Sequence, residues 1–266
     1  GGEGLGQNLS NDFDTDSFSA TTSASFSSNW VIGAVDGKVT APAQEKVGAT
    51  YDWAVDLVTS FDGNDSLDVT LEAGEGGATL TEMDLTETGD AVNVGSISYT
   101  RSVGDYLTLY VSPAGGGAGS ALFTKACSYE GQTNVLDDCA NKSTGMDYDG
   151  LGTAFSASVD VGNGLSVAFG YEGEDNHEGI ATDEAVDAYG AQISYIKENY
   201  GVSFTFVNAE NGTATGSLTG GESEYQAFNA FFTPGLDRFP SISFGLEWSH
   251  YEAAAADADE TSHYFI

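Results

Sequence analysis

Basic residues are scarce in this sequence. Its 266 residues include 7 Lys and Arg against 41 Asp and Glu, which gives a formal net charge of −34 at pH 7. Proteins that bind nucleic acids neutralise phosphates with clustered Lys and Arg, so this composition argues against a nucleic-acid-binding protein. Leu is sparse and the 35 Gly residues are abundant, which argues against a helical bundle, because a bundle needs strong helix formers.

Long apolar runs are also absent. No run approaches the roughly 18 residues that a membrane-spanning helix requires. Aromatic residues make up 12% of the chain, too many for a disordered protein that has nothing to bury. The chain is therefore folded, and it is either soluble or crosses a membrane only as strands.

The two ends of the sequence predict a piece of a longer protein. The chain lacks an initiating Met and a basic-then-apolar signal segment. It stops at residues 264–266, in what we interpret as the start of a strand. We expect residues 1–15 to lead into one domain of residues 16–266 that is truncated at its C-terminus.

Strict alternation of apolar and polar residues is the main pattern in the sequence. From Val47 through Trp53 to Phe61, most alternate positions are apolar or aromatic, and most positions between them are small or acidic. A turn-forming sequence at 62–65 leads to a second alternating segment at 67–73. Repeats of this pattern predict an all-β antiparallel fold of about eleven to twelve strands, with no second domain.

The predicted connections alternate in length. Short turns are predicted at residues 62–66, 102–105, 162–164, 197–201 and 234–239. Longer loops rich in Gly, Asp and Glu are predicted at residues 36–46, 74–91, 112–150, 174–186, 210–222 and 252–261. Short turns at one end and long loops at the other are typical of outer-membrane barrels.

Aromatic residues concentrate at both ends of the predicted strands. Tyr51 lies toward a long loop, and Phe61 lies beside a short turn. At about 3.3 Å per residue the strand between them spans roughly 33 Å, and a tilt of about 40° reduces that to a height of about 25 Å. This is the height of the apolar band of a transmembrane β-barrel, which we therefore predict. Aromatic residues packed in the core of a soluble sandwich are the alternative.

Three short motifs resemble the cyanobacterial outer-membrane porins, a family related to carbohydrate-selective porins. The motifs are FSATT at 18–22, SFDGNDSL at 60–67 and FPSIS at 239–243. The resemblance implies a barrel of about sixteen strands, preceded by an S-layer-homology domain and a coiled coil, with this chain as most of the barrel. It also implies a homotrimer in a Gram-negative-type outer membrane that passes ions and small hydrophilic solutes, carbohydrates among them.

One departure from that family concerns charge. Family members carry basic residues just after the first hairpin, where this chain has Asp68 and Thr70. The solute preference of the family is therefore not expected to carry over unchanged.

Six carboxylates at polar positions of the predicted strands are the predicted pore-lining residues. They are Asp52, Asp56, Asp68, Glu72, Asp160 and Glu247. All seven basic residues fall in predicted loops or beside turns, so these carboxylates should concentrate cations and repel anions. We predict a porin with an acidic, water-filled lumen and passive, cation-biased diffusion. A general acidity of the whole surface is the alternative explanation for the loop charges.

The longest predicted loop contains both cysteines. We predict that Cys127 and Cys139 form a disulfide, since nothing basic is placed to activate a thiolate. A disulfide that closes the segment from Cys127 to Cys139 stabilises the fold by about 3 kcal/mol in the loop-entropy model. In the porin interpretation, the loop at 112–150 is also the best candidate to fold inward and narrow the pore.

No motif predicts a metal site, a cofactor or an enzyme. Asp12, Asp14 and Asp16 have the first spacing of a calcium loop, but Ser17 stands where that loop needs Gly. The glycine-rich segment 115–119 lacks the Lys of a phosphate-binding loop. We expect a non-enzymatic protein, and the alternative from another class is a secreted all-β surface adhesin or glycan-binding protein.

Overall fold

Twelve β-strands make up most of the described chain. The computed structural model describes residues 21–33, 47–76, 85–114, 119–127, 153–173, 186–211, 221–235, 240–253 and 256–265. The strands are β1 (Thr22–Gly33), β2 (Gly48–Thr59), β3 (Asp65–Gly74), β4 (Asn93–Val103), β5 (Leu107–Ala114), β6 (Thr153–Gly162), β7 (Leu165–Gly173), β8 (Asp187–Ile196), β9 (Tyr200–Asn211), β10 (Gly221–Phe232), β11 (Ile242–Ala253) and β12 (Ala256–Phe265). The prediction of an all-β fold with eleven to twelve strands is confirmed.

All twelve strands belong to one antiparallel sheet. Each strand pairs with its neighbours in sequence, in the order β1 to β12, so that β1 and β12 are the two edges. A sandwich would instead divide its strands between two packed sheets. Nowhere in the described ranges does a helix have the length and apolar character needed to cross a membrane.

Four of the predicted short turns, at 62–66, 102–105, 162–164 and 197–201, lie between consecutive described strands, as predicted. The predicted turn at 234–239 and the predicted long loops at 36–46, 74–91, 112–150, 174–186 and 210–222 fall wholly or partly outside the described residues. The predicted loop at 252–261 is wrong, because β11 extends to Ala253 and β12 begins at Ala256, where these two residues pair. Ala, Asp and Glu are depleted in strands, which is why this segment predicts a loop. Pairing with an adjacent strand overrides that weak preference, so the expected fragment of a twelfth strand is a strand of 10 residues.

The short turns lie at one end of the sheet, which we name the turn end. The residues of these turns suit the backbone conformations that the turns require. In the turn between β6 and β7, Gly162, Asn163 and Gly164 have φ values of 96°, 57° and 85°. Gly and Asn tolerate this left-handed backbone best. A Cβ atom at Gly164 would also lie 2.3 Å from the carbonyl oxygen of Ile196, so only Gly allows this close approach of two turns.

The first hairpin turn is held by one carboxylate. Oδ1 of Asp65 accepts hydrogen bonds from the backbone N–H groups of Phe61 and Asp62, at 2.8 and 3.1 Å, and from the hydroxyl of Ser60 at 2.9 Å. Arg101 on β4 pairs with Asp62 at 2.8 Å. These contacts fix the register of β2, β3 and β4 at the turn end.

The cross-strand pairs divide the sheet into an apolar face and a polar face. The apolar face carries Trp30, Trp53, Leu109, Phe155, Phe169, Ile193, Phe204, Phe228 and Trp248. The polar face carries Asn29, Asp52, Asp56, Thr70, Thr108, Ser158, Gln192, Thr205, Asn229 and Glu247. Because side chains alternate along each strand, the predicted alternation is what separates the two sets.

Burial is inverted relative to a soluble protein. Phe169 on the apolar face is 60% exposed and Trp30 is 79% exposed. On the polar face, Ser203 and Thr205 are almost completely buried. Soluble proteins rarely expose contiguous apolar patches larger than a few hundred Å², so the apolar face is a surface that requires an apolar partner.

Candidate functional site

The polar face of β2 and β3 carries four of the predicted carboxylates, and we name it the acidic wall. Its carboxylates are Asp52, Asp56, Asp68 and Glu72. Asp56 pairs across the strands with Thr70, and Glu72 pairs with Ala54, which places all four side chains on the same face. The first hairpin turn sets this register, so the local sequence determines which face becomes acidic.

Asp52 is the most buried member of the acidic wall. Its Oδ1 atom accepts from Asn29 Nδ2 at 2.9 Å and from the Asn29 backbone N–H at 3.2 Å. Its Oδ2 atom accepts from the backbone N–H of Thr86 at 3.3 Å, and the hydroxyl of Thr86 donates to Glu72 at 3.3 Å. The end of the loop between β3 and β4 therefore lies against the acidic wall.

The other two carboxylates of the acidic wall have neutral partners. Asp56 accepts from the hydroxyl of Thr70 at 2.8 Å, and Asp68 accepts from the hydroxyl of Ser66 at 2.8 Å. Hydroxyl donors satisfy carboxylate oxygens without cancelling their charge. Both side chains are only partly buried, so the wall keeps negative charge where water can reach it.

Asp160 and Glu247 lie on the polar face far from the acidic wall in the strand order. Asp160 on β6 pairs with Ser166, and Glu247 on β11 pairs with Ala227. Asp160 also lines a polar cavity of about 370 Å³ at the turn end, together with Asp105, Thr108 and Thr124 among others. All six predicted carboxylates therefore lie on the polar face, spread along the sheet, and their role as pore-lining residues stays a prediction.

A segment of the long connection between β5 and β6 lies on the polar face. We name residues 119–127 the covering segment. Three of its backbone N–H groups donate to side chains of the sheet: Gly119 to Glu172 at 2.9 Å, Thr124 to Oε1 of Gln192, and Ala126 to Ser203 at 3.2 Å. Because these acceptors belong to β7, β8 and β9, the segment crosses three strands, whose polar face we name the covered wall.

Packing supplements these hydrogen bonds. The ring of Phe123 in the covering segment packs against a buried cluster of Ala188, Val207 and Ala209, with Tyr225 beside it. Ala and other small residues at polar-face positions of β8 and β9 leave the space that this ring fills. Residues 119–127 of the predicted loop at 112–150 thus lie on the polar face of the sheet, and the narrowing of a pore by this loop stays a prediction.

The covering segment changes the charge pattern expected from the sequence. Lys125 lies in it and is exposed, so the polar side of the sheet carries a positive charge as well as carboxylates. Cys127 ends the segment and is disulfide-bonded. Its predicted partner Cys139 lies outside the described residues, and their pairing stays a prediction.

Sequence reasoning missed the three side chains that hold the covering segment. Glu172, Gln192 and Ser203 occupy polar positions of strands whose apolar positions were recognised. The alternation of apolar and polar residues places all three on the polar face. A search for carboxylates alone omits Gln192 and Ser203. Glu172 is a carboxylate, but it stands just before the predicted loop at 174–186, outside the predicted strand. Glu172 is 1% exposed, so its carboxylate serves the covering segment and not open solvent.

The described residues contain no group of three or more His, Cys, Asp or Glu side chains arranged to hold a metal ion. Asp12, Asp14 and Asp16 lie outside these residues.

Comparisons with known proteins find similarity in structure only. No protein-family model and no curated protein sequence matches the chain. Among solved structures, the trimer form of the outer-membrane protein OmpT of Vibrio cholerae is 12% identical, with a TM-score of 0.47, over 92% of this chain and 83% of that one. A loop-deletion mutant of OmpT is 11% identical, with a TM-score of 0.45, over 92% and 87%. A mutant of the Rh. blastica porin is 8% identical, with a TM-score of 0.35, over 91% and 100%.

Proposed function

We propose that this chain is the barrel portion of a porin of a Gram-negative-type outer membrane. The observation that carries the proposal is the inverted burial of the sheet, with an exposed apolar face and a polar face that holds carboxylates and a covering segment. Barrels that cross a membrane present an apolar band to lipid and a polar lining to water. The apolar partner that the exposed face requires is then the lipid of the membrane.

Barrel closure is part of the proposal. In lipid every backbone polar group needs a partner, so the edges β1 and β12 need further pairing before the sheet can span a membrane. The resemblance to cyanobacterial porins supports a barrel of about sixteen strands and a homotrimer. Membership of that family stays a prediction.

The proposed activity is passive diffusion of ions and small hydrophilic solutes, without chemistry. The acidic wall attracts cations into the lumen, and the covering segment narrows it. Lys125 reduces the cation preference locally, so the net preference depends on both charges. Carbohydrate passage is supported only by the resemblance.

The experiment is the current across a planar lipid bilayer that contains the full-length protein, under a salt gradient. We expect stepwise conductance and a reversal potential of the sign that cation preference gives. Replacing Asp52, Asp56 and Asp68 together by Asn should lower the cation-to-anion permeability ratio on the order of tenfold, since each charge acts with about 1 kcal/mol or less in water.

The matched control neutralises two carboxylates on the other side of the sheet. Glu222 and Glu224 on β10 are exposed and lie on the apolar face near the long loops, so Glu222→Gln with Glu224→Gln should leave the permeability ratio unchanged. Anion preference in the unaltered protein would overturn the role of the acidic wall. A well-folded protein that is soluble without detergent and carries no current would favour the surface adhesin instead.

A further inference from the structure

We propose that Gln192 positions the covering segment and thereby sets the size limit for solutes. The inference rests on the proposed pore for its consequence, but the positioning role stands on the contacts themselves. Gln192 lies near the middle of β8 and is 3% exposed. Its side chain is the central one of the three that accept hydrogen bonds from the segment.

The two ends of the Gln192 amide have different partners. Oε1 accepts from the backbone N–H of Thr124, and Nε2 donates to Oγ1 of Thr205 on β9 at 2.8 Å. Since Gln192 and Thr205 are direct cross-strand partners, the second bond holds the amide along the polar face. The N–H of Thr124 determines which end of the amide meets the segment, because a flipped amide would place two N–H donors face to face.

The outer contacts cannot replace this central one. Glu172 holds Gly119 at the beginning of the segment, and Ser203 holds Ala126 near its end. Between them, Thr124 is exposed and lines the polar cavity at the turn end that Asp160 also lines. The height of Thr124 above the sheet is therefore set by Gln192, and it limits the space on the polar face.

The test compares three substitutions. Gln192→Leu removes the acceptor at nearly constant size, and Thr205→Val removes the hydroxyl that holds the amide along the polar face. Gln192→Glu keeps an acceptor for Thr124, and the Thr205 hydroxyl can rotate to donate to it, so this conservative variant should restore the positioning. The matched control is Gln226→Leu, since Gln226 is exposed on the apolar face of β10, away from the segment.

Two readouts separate the inference from the function on which it rests. Hydrogen exchange of the Thr124 amide should accelerate on the order of tenfold in Gln192→Leu, the factor that corresponds to one lost buried hydrogen bond. Thr205→Val should give a smaller acceleration, and the two other variants none. In bilayers, Gln192→Leu channels should admit larger polyethylene glycols than unaltered channels do. Circular dichroism checks that each variant keeps its strands.

Each of three possible outcomes decides a different part of the proposal. Unchanged Thr124 exchange in both Gln192→Leu and Thr205→Val would overturn the positioning role. Faster exchange with an unchanged polymer limit, in channels that conduct, would overturn the role in solute size. Faster exchange in a protein that never conducts would overturn the pore and leave the positioning role supported.

Discussion

The acidic wall and the covered wall are built on the same alternation of residues, yet only one of them lies under the covering segment. The acidic wall presents carboxylates with hydroxyl partners, such as Asp56 with Thr70. The covered wall presents small residues and the neutral acceptors Gln192 and Ser203, with Glu172 at its edge. Both walls share one continuous apolar face.

The difference shows how the residues at polar positions decide whether a wall can be covered. Burying an ionised carboxylate is costly unless donors compensate it, whereas small and amide side chains are buried at little cost once hydrogen-bonded. Glu172 and Asp52 obey the rule, since a backbone N–H group of a connecting loop donates to each of them. Of the remaining carboxylates of the acidic wall, Glu72 accepts from the hydroxyl of the loop residue Thr86, whereas Asp56 and Asp68 accept from hydroxyls of the strands. All three stay partly exposed.

A lysine on the shared apolar face should have the largest effect and should affect both walls alike. In the proposed barrel, Phe204→Lys behind the covered wall and Val55→Lys behind the acidic wall would each place a charge in lipid. Each should lower the free energy of unfolding in lipid vesicles by about 2–4 kcal/mol near the bilayer midplane, measured by urea titration.

The control for these lysines is Ser96→Lys on the polar face of β4. There the charge faces water and the acidic wall, so the free energy of unfolding should change little. A lysine at Phe204 that costs no more than a lysine at Ser96 would contradict the orientation of the sheet.

Added side-chain volume should separate the two walls. Ala188 is completely buried beneath Phe123, so Ala188→Leu should lower the free energy of unfolding by about 1–3 kcal/mol and displace the covering segment. Ala54 lies on the polar face of the acidic wall and is only half-buried, so Ala54→Leu should change stability by about 0.5 kcal/mol or less. Chemical unfolding of both variants measures the difference, and equal costs would refute the contrast in packing.

Removing a side chain that donates a hydrogen bond to the acidic wall should have the smallest effect on the free energy of unfolding. Asn29→Ala deletes the 2.9 Å hydrogen bond to Asp52 but keeps the backbone bond from residue 29. We expect a loss of about 1 kcal/mol in the free energy of unfolding, because Asp52 retains the N–H of Thr86. Ser25→Ala, which deletes a 3.4 Å contact to Asp56, serves as the control and should cost less. An equal cost for Ser25→Ala and Asn29→Ala would contradict the claim that the hydrogen bond to Asp52 stabilises the fold more than the contact to Asp56 does.

Alternation along the strands predicted most of the fold, because a period of two assigns each side chain to a face without knowledge of its neighbours. The facing of Asp56 and Glu247 followed from it. The position of the covering segment could not be predicted, since residues 119–127 have no periodicity and their partners lie more than 50 residues away. Lys125 therefore falls among the predicted loop charges, and the sequence alone does not single out Gln192.

The most direct test of the account uses the three tryptophans, all of which lie on the apolar face. Trp30 stacks on Tyr51, with ring centroids 5.5 Å apart, and Trp53 stacks on Phe26, with centroids 6.1 Å apart; Trp248 is 40% exposed. Tryptophan fluorescence of the full-length protein in vesicles should be strongly quenched by brominated lipid chains and weakly by iodide in the water. Strong quenching by iodide, with no effect of the brominated chains, would contradict the claim that this face meets lipid.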